Sequence, residues 1–305
     1  MTVARTELAR TYRFKETEEL HREDIAQDLW HAVESVLATS VQIDCLRSGD
    51  ELTAIVSERV VNYVYSRMVI SGCYWMDLNG VPSDQLVLVD GMVQALRDVL
   101  DVPDGDLEQR IAYMLARVCT RVRQKHAKLN DTQIGAIRNF AAVEGHRCYL
   151  CGADLHYEAH RPYGDDSDDG IDRVRDQRSF EIEHIWNQAR GGSRAPSNLA
   201  ACCKACNKHK SHLISFVDLP IEQINSGAKR PESILTSINN QYRFSIIWKQ
   251  HGRCARCDRH FYEIDSESLY LVKREYDQPL HFLNLEISCG QCNNDLSLKG
   301  VKIRA

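Results

Sequence analysis

Hydrophobic residues recur at helical spacing through the first part of the chain. Between residues 22 and 38 the steps of three and four place them on one face of a helix; they are Ile25, Leu29, Trp30, Val33, Val36 and Leu37. The segments 51–70, 85–102 and 107–129 continue in the same pattern. We therefore predict an α-helical domain over residues 1–136.

Turn sequences separate these helical segments. They are SGD at 48–50, LNGVPSD at 78–84 and PDGD at 103–106, which are rich in Gly, Pro, Asn and Asp. Asp106 is the predicted N-cap of the last helix, because an aspartate side chain accepts hydrogen bonds from the first backbone N–H groups of a helix. Nothing in the helical region indicates chemistry.

The second half of the chain contains an internal repeat. IRNFAAVEGHRCYLC (137–151) and RFSIIWKQHGRCARC (243–257) each place Arg-Cys-x-x-Cys after a short helical segment. Downstream, NLAACCKACN (198–207) and NLEISCGQCN (284–293) match each other in the same order. Two matches in one order predict two copies of a single module.

The two modules are predicted at 137–213 and 243–305, with a linker at 214–242. Their C-x-x-C pairs give each module four cysteines, and in a reducing compartment this spacing indicates zinc rather than disulfides. Cys202 beside Cys203 leaves one ligand ambiguous, but the spacing and the repeat favour Cys203. The predicted zinc ligands are Cys148, Cys151, Cys203 and Cys206 in the first module, and Cys254, Cys257, Cys289 and Cys292 in the second.

Charge and hydropathy limit the classes of partner. The formal net charge is −5, so contact with nucleic acid has to come from a local basic patch rather than from a basic domain. No apolar run approaches the roughly 20 residues of a membrane span, and the first twenty residues lack the apolar centre of a signal peptide. We expect a cytoplasmic protein without membrane contact.

One stretch of the first module combines several polar residues with a fixed order of motifs. EIEHIWNQARGG (181–192) places Glu183 directly before His184 and ends in two glycines. Asn198-Leu199, a C-x-x-C pair, Asn207 and Lys210 follow. This order within a four-cysteine frame resembles the HNH family of nucleases, also called His-Me finger or ββα-metal enzymes, over roughly residues 137–213.

The resemblance implies a two-stranded ribbon packed on a helix, one divalent metal ion, and a nucleic-acid substrate that is usually DNA. It assigns His184 as the general base, which suits an imidazole because it titrates near neutral pH. Glu183 and Asn207 become the ligands of Mg²⁺ or Mn²⁺, ions that prefer oxygen donors. Asn198 takes the catalytic position that fixes the loop carrying the base. Lys210 is predicted to contact a phosphate, and His209 is a rival metal ligand.

The first module also departs from the family pattern. Asn187 stands where the family often has proline, and Glu183 stands where aspartate or histidine is more frequent. Neither change removes a donor, so we expect activity to survive.

The second module lacks both the Glu-His pair and the two glycines. Lys273 and Arg274 fall where a shortened alignment places the catalytic pair, and His281 is too close to Asn284 to replace the base. We predict a degenerate copy that retains zinc and has lost hydrolysis. Lys273 and Arg274 belong either to a nucleic-acid-binding surface or to a solvated charged face.

The predicted fold class is therefore α+β, with a helical N-terminal domain followed by two zinc-stapled ββα-metal modules. The predicted cofactors are two structural zinc ions and one catalytic Mg²⁺ or Mn²⁺. Two functions remain open: a metal-dependent DNA endonuclease, or a zinc protein that binds nucleic acid without cutting it. In the first case the chain is a candidate effector of a restriction or phage-defence system, with the helical domain docking a regulatory protein.

Overall fold

A computed structural model describes most of the chain. The described residues are 24–38, 49–124, 128–143, 145–157, 177–211, 213–215, 218, 244–247, 249–264, 269–275, 277–278, 281–293 and 301–302. Most of the predicted linker at 214–242 lies outside them. Within the described residues, no helix combines the length and the apolarity that crossing a membrane requires.

The N-terminal region is helical, as the periodicity predicts. Its helices are α1 (Ile25–Leu37), α2 (Gly49–Asn79), α3 (Gln85–Arg97) and α4 (Gly105–Arg123). Each of α1, α3 and α4 contacts α2, and α4 also packs against α1 and α3. Fully buried side chains from all four helices fill the space between them, among them Leu29, Tyr65, Met68, Met92, Leu96, Ile111 and Leu115.

The predicted N-cap of the last of these helices was wrong by two residues. Asp104 caps α4, and its side chain accepts hydrogen bonds from the backbone N–H groups of Asp106 (2.9 Å) and Leu107 (3.3 Å). Asp106 lies in the first helical turn instead. Either aspartate of the PDGD turn has the right chemistry for a cap, and the helix begins at Gly105, so the earlier one takes the position.

A further helix, α5 (Asp131–Val143), leads into the cysteine-rich half of the chain. It contains the position of the predicted domain boundary between residues 136 and 137. Ile137 and Ala141 on this helix are buried in the same core as Cys148 and Tyr149. The helix therefore packs with the first cysteine module.

The cysteine-rich half of the chain also contains short antiparallel strand pairs. β1 (Phe180–His184) pairs with β2 (Leu199–Cys203), and α6 (Lys204–Lys210) begins directly after β2. β3 (Leu269–Lys273) pairs with β4 (Leu285–Cys289), and the two-residue strand β5 (Val301–Lys302) lies on the other edge of β3. Helices followed by small antiparallel strand pairs agree with the predicted α+β class.

The internal repeat is visible in the backbone as well as in the sequence. The backbone N–H of Cys148 donates to the carbonyl of Ala153 at 2.8 Å, and that of Cys254 donates to Arg259 at 2.9 Å. The residue after each second cysteine, Gly152 or Asp258, has a positive φ of 70° or 58°. Both C-x-x-C pairs thus lie on the same kind of tight turn. Buried residues of the two modules pack together in one hydrophobic core.

Candidate active site and metal centres

The first candidate metal centre is a buried group of four cysteines. The Sγ atoms of Cys148, Cys151, Cys203 and Cys206 lie within 4.8 Å of one another. The Sγ atoms of Cys151 and Cys203 are 3.8 Å apart. A tetrahedral zinc ion about 2.3 Å from each sulfur requires a sulfur–sulfur separation of about 3.8 Å. The four side chains therefore fit zinc.

Burial also affects the acidity of these thiols. Exclusion from water raises the pKa of Cys148 and of Cys206 well above the ordinary value of a thiol, because it disfavours the thiolate. Zinc would bind here with release of protons. Cys202 is not in the group, and its Sγ lies 3.4 Å from the carbonyl oxygen of Cys203. Of these two neighbours, Cys203 is the one that lies with the other three cysteines.

The second candidate metal centre also consists of four cysteines, but an arginine side chain lies beside two of them. The Sγ atoms of Cys254, Cys257, Cys289 and Cys292 also lie within 4.8 Å of one another. The Arg259 side chain lies 3.5 Å from Sγ of Cys257 and 3.7 Å from Sγ of Cys289. Its hydrogen bond lowers the pKa of Cys257 to about 6. This second group also fits zinc.

His184 is the last residue of β1 and is half-buried. Its Nε2 atom lies 2.8 Å from the side-chain amide nitrogen of Gln188. Gln188 begins the 3₁₀ turn Gln188–Arg190, so the residue four positions after the histidine folds back onto its ring. Sequence reasoning missed Gln188, because a glutamine in a loop carries no signal of its own.

Asn198 holds the loop that follows His184. Its Oδ1 accepts a hydrogen bond from the backbone N–H of Trp186 at 2.6 Å, and its Nδ2 donates to the carbonyls of Trp186 at 2.9 Å and Ser193 at 2.7 Å. Only 3% of this residue is exposed. The geometry gives Asn198 the contacts of a residue that fixes the loop.

The corresponding asparagine of the second module makes the same contacts. Asn284 accepts from the backbone N–H of Glu275 at 2.8 Å and donates to the carbonyl of Glu275 at 3.0 Å. Lys273 lies opposite Leu285, just as His184 lies opposite Leu199. By this register Lys273 is the counterpart of His184. The sequence alignment instead placed Lys273 and Arg274 at the positions of the pair Glu183-His184.

Gly192 lies where the loop returns over Trp186. A Cβ atom at this position would lie 1.8 Å from the carbonyl oxygen of Trp186 and 2.9 Å from Nδ2 of Asn198. We expect Gly192→Ala to destabilise the fold by about 2 kcal/mol, because the backbone has to shift. Urea unfolding measures the change. Gly135→Ala in α5, which has open space around it, is the control and should stabilise slightly.

Glu183 points to the opposite face of β1 from His184 and is buried. Its Oε2 accepts a hydrogen bond from the Tyr149 hydroxyl at 2.6 Å, and its Oε1 forms an ion pair with Lys210. Burial, followed by the charge of Glu183, raises the pKa of Tyr149 well above its usual value, so this hydroxyl stays a donor. The predicted metal ligand is thus held by two protein groups.

Lys210 is enclosed by the same network. Only 2% of the residue is exposed, and Nζ also donates to the backbone carbonyls of His184 and Ile185, each at 2.8 Å. A lysine with these contacts joins α6 to the end of β1. The Lys210 ammonium group therefore contacts groups of the protein itself, whereas it was predicted to contact a phosphate.

Asn207 was predicted to share a metal ion with Glu183, and in the structure its side chain contacts the carboxylate of Glu181. Its Nδ2 donates to Oε2 of Glu181 at 2.7 Å. Glu181 precedes Glu183 by two positions, and alternate strand residues share a face. Glu181 and Asn207 line an open cleft of about 560 Å³, together with Asn187, Lys204, Lys208 and Ser211. The two lysines and Glu181 were missed by sequence reasoning, although the Glu-x-Glu alternation is a signal for a shared face.

Of the predicted site residues, only Asn207 lines this cleft. Arg274 forms an ion pair with Glu286 at 2.7 Å. Lys273 is half-buried at the end of β3. The ring of His209, the rival metal ligand, lies 4.9 Å from that of Phe244, between centroids, and the residue is exposed.

The oxygen donors around the cleft fit a hard divalent cation only in part. Within the described residues, the two cysteine groups alone bring three or more His, Cys, Asp or Glu ligands together. Asn207 and Glu181 offer an amide and a carboxylate oxygen, which suits Mg²⁺ because this ion usually keeps several waters. Glu183 could bind the same cation only if its ion pair with Lys210 were broken.

Residues 172–217 match the family model of HNH endonuclease. No curated protein and no solved structure matches the chain. The matched residues include His184, Asn198 and Asn207, together with the second cysteine pair of the first module. Residues 172–217 are therefore similar to the HNH endonuclease family, and they form a small part of the 305-residue chain.

Proposed function

We propose that the protein is a metal-dependent endonuclease that hydrolyses phosphodiester bonds in DNA. The observation that carries the proposal is the HNH match over 172–217, because it includes His184 at the end of β1 and Asn207 on α6. The zinc-compatible cysteines join the turn of the first C-x-x-C pair to β2 and α6. The proposed role of zinc is to hold these elements together.

The side chains have separate tasks in this proposal. His184 takes a proton from the attacking water, and Asn198 keeps the following loop in place. Lys204 and Lys208, which line the cleft beside Asn207, attract the phosphate backbone. The acidic net charge of the chain makes such a local basic surface necessary.

Asn207 and Glu183 are the proposed ligands of Mg²⁺ or Mn²⁺, and Glu181 is the carboxylate that already contacts Asn207. When bound, the ion would stabilise negative charge on the phosphate and on the leaving oxygen. Before the ion binds, the charge of Lys210 balances that of the buried Glu183 carboxylate, because an unpaired buried charge is strongly destabilising.

The substrate class is tested by competition between nucleic acids. Supercoiled plasmid and a single-stranded RNA of similar mass are incubated together with the protein and Mg²⁺ or Mn²⁺. We expect nicked or linear plasmid, with the RNA consumed at least about 10-fold more slowly, an effect that corresponds to about 1.4 kcal/mol in the barrier. Preferential loss of RNA would reassign the substrate and leave the hydrolytic chemistry in place.

A zinc protein that binds nucleic acid without cutting it is the second candidate. The observation that favours it is the engagement of Glu183 by Tyr149 and Lys210. For such a protein, His184→Ala would leave function intact.

The proposed setting is the cytoplasm, in a restriction or phage-defence system. Support comes from the architecture, since the helical domain directly contacts the loop after His184. The Tyr65 hydroxyl on α2 donates to the carbonyl of Arg190 at 2.6 Å. A regulatory protein docked on the helical domain would act through contacts of this kind. The test is the cleavage rate of the full chain with and without that protein.

A further inference from the structure

Helix α2 carries hydrophobic side chains on its outer face as well as on the face that it buries. The inner face belongs to the helical core, where Tyr65, Met68 and Met76 are fully buried. Helical periodicity places four large hydrophobic residues on the opposite side. They are between 57% and 66% exposed, and they are Tyr63, Ile70, Tyr74 and Leu78. A helix that is apolar on both sides usually packs against neighbours on both, so this outer face has the properties of a contact surface.

The exposed side chains of this face follow the seven-residue repeat of helices that pack side by side. Alternating steps of four and three residues separate the exposed positions, which are Tyr63, Arg67, Ile70, Tyr74 and Asp77. Such spacing keeps the side chains in one stripe along the helix. We call these five residues the α2 stripe. The partner that fits the α2 stripe is a second helix packed along its length.

The charges of the α2 stripe are complementary to those of the same stripe in antiparallel orientation. When Ile70 packs beside Tyr74 of a second copy, Arg67 lies beside the second copy's Asp77, because each step back along one helix is a step forward along the other. The two-fold axis generates the same contacts a second time. Parallel pairing would instead place Arg67 against Arg67 and Asp77 against Asp77, which is unfavourable. The charge pattern therefore selects the antiparallel arrangement.

Two further observations agree with this register. The Asp77 side chain is 60% exposed and forms an ion pair with Arg123 of α4. A carboxylate has two acceptor oxygens, so Asp77 can bind Arg67 of a second copy while it keeps its pair with Arg123. At the end of the stripe, the same register brings Tyr63 beside Val81 of the second copy, which is 53% exposed. Hydrophobic contacts and opposite charges thus meet along the whole stripe.

We propose that two copies of the protein form a two-fold symmetric dimer in which their α2 helices pack antiparallel along the α2 stripe. Contacts between Ile70 and Tyr74 lie at the centre of the interface, and Arg67–Asp77 ion pairs flank them. The dimer contains two HNH-like segments and therefore two candidate active sites. The interface is formed by the helical domain alone, so it does not depend on the activity of those segments.

Sedimentation equilibrium of the full-length, zinc-loaded protein tests the proposal. We expect twice the mass of one chain at about 10 µM protein. Ile70→Glu places a charge at the centre of the interface, and should raise the dissociation constant of the dimer by about 100-fold or more. Val143→Glu is the matched control, because Val143 is 79% exposed on α5 and lies outside the α2 stripe. This control should sediment like the wild type.

An exchange of charges tests the antiparallel register. Arg67→Glu and Asp77→Arg each bring like charges together across the interface, and each should weaken the dimer by about 10-fold or more. The double variant restores opposite charges at these positions, and its dissociation constant should return to within about 3-fold of the wild-type value. A misfolded protein cannot produce this recovery, and circular dichroism checks that both single variants remain helical.

Three results would contradict the proposal. A wild-type protein that stays monomeric at about 100 µM would overturn the dimer and leave the outer face of α2 to a different protein. A dimer that Ile70→Glu does not weaken, or that Val143→Glu weakens equally, would place the interface elsewhere. Single charge variants that dissociate without recovery in the double variant would overturn the antiparallel register. Since none of these measurements uses cleavage, their outcome is separate from that of the proposed function.

Discussion

Replacing His184 by alanine should reduce the single-turnover rate of plasmid cleavage by about 10³-fold, while the affinity for plasmid stays within about 2-fold. The imidazole is half-buried at the end of β1, and its loop is held by Asn198 on one side and by the helical domain on the other. Its removal therefore deletes a base without removing a structural anchor. The rate and the affinity are measured on the same preparation.

His281→Ala is the matched control. His281 lies in the second module, is exposed, and precedes the turn Phe282–Asn284 that corresponds to the turn before β2. Cleavage by this variant should equal that of the wild type. A wild-type rate for His184→Ala, or an equal loss in both variants, would contradict the assignment of catalysis to the first module.

Replacing Cys206 by serine should have the largest effect on stability. Cys206 is fully buried in the first cysteine group, and it directly precedes Asn207 on α6. We expect a loss on the order of 4 kcal/mol or more, because structural zinc contributes directly to folding. The zinc content should fall from two ions per chain to one, and cleavage should fall with it.

Cys202→Ser provides the control at the neighbouring position. Cys202 is equally buried but does not belong to the group of four. This variant should retain two zinc ions by elemental analysis and should cut at close to the wild-type rate. Retention of two zinc ions by Cys206→Ser would contradict the assigned ligand set.

The features that were predictable from the sequence are those with local spacing. The helical periodicity, the four C-x-x-C pairs and the repeated Asn-Leu step all depend on residues close together in the chain. Cys203 was preferred over Cys202 because the repeat gives the register. The contacts of Asn198 follow the same logic, since Asn284 makes the equivalent bonds in the second module.

Other features depend on packing that local patterns do not encode. The burial of Lys210 against Glu183 arises because α6 lies across β1, and a lysine one turn after Asn207 looks like a phosphate contact in the sequence alone. The contact of Gln188 with His184 requires the turn at Gln188–Arg190, which is anchored by Tyr65, 125 positions earlier in the chain. No motif connects residues at that separation.

The most direct measurement of the central claim is cleavage of supercoiled plasmid by protein that holds two zinc ions, in metal-free buffer and again after addition of Mg²⁺ or Mn²⁺. Withholding the ion is preferable to adding a chelator, because a chelator would also remove zinc and unfold the modules. We predict nicking or linearisation only after the ion is added. Tight binding of plasmid without cleavage under every metal condition would contradict the nuclease assignment and favour the non-catalytic zinc protein.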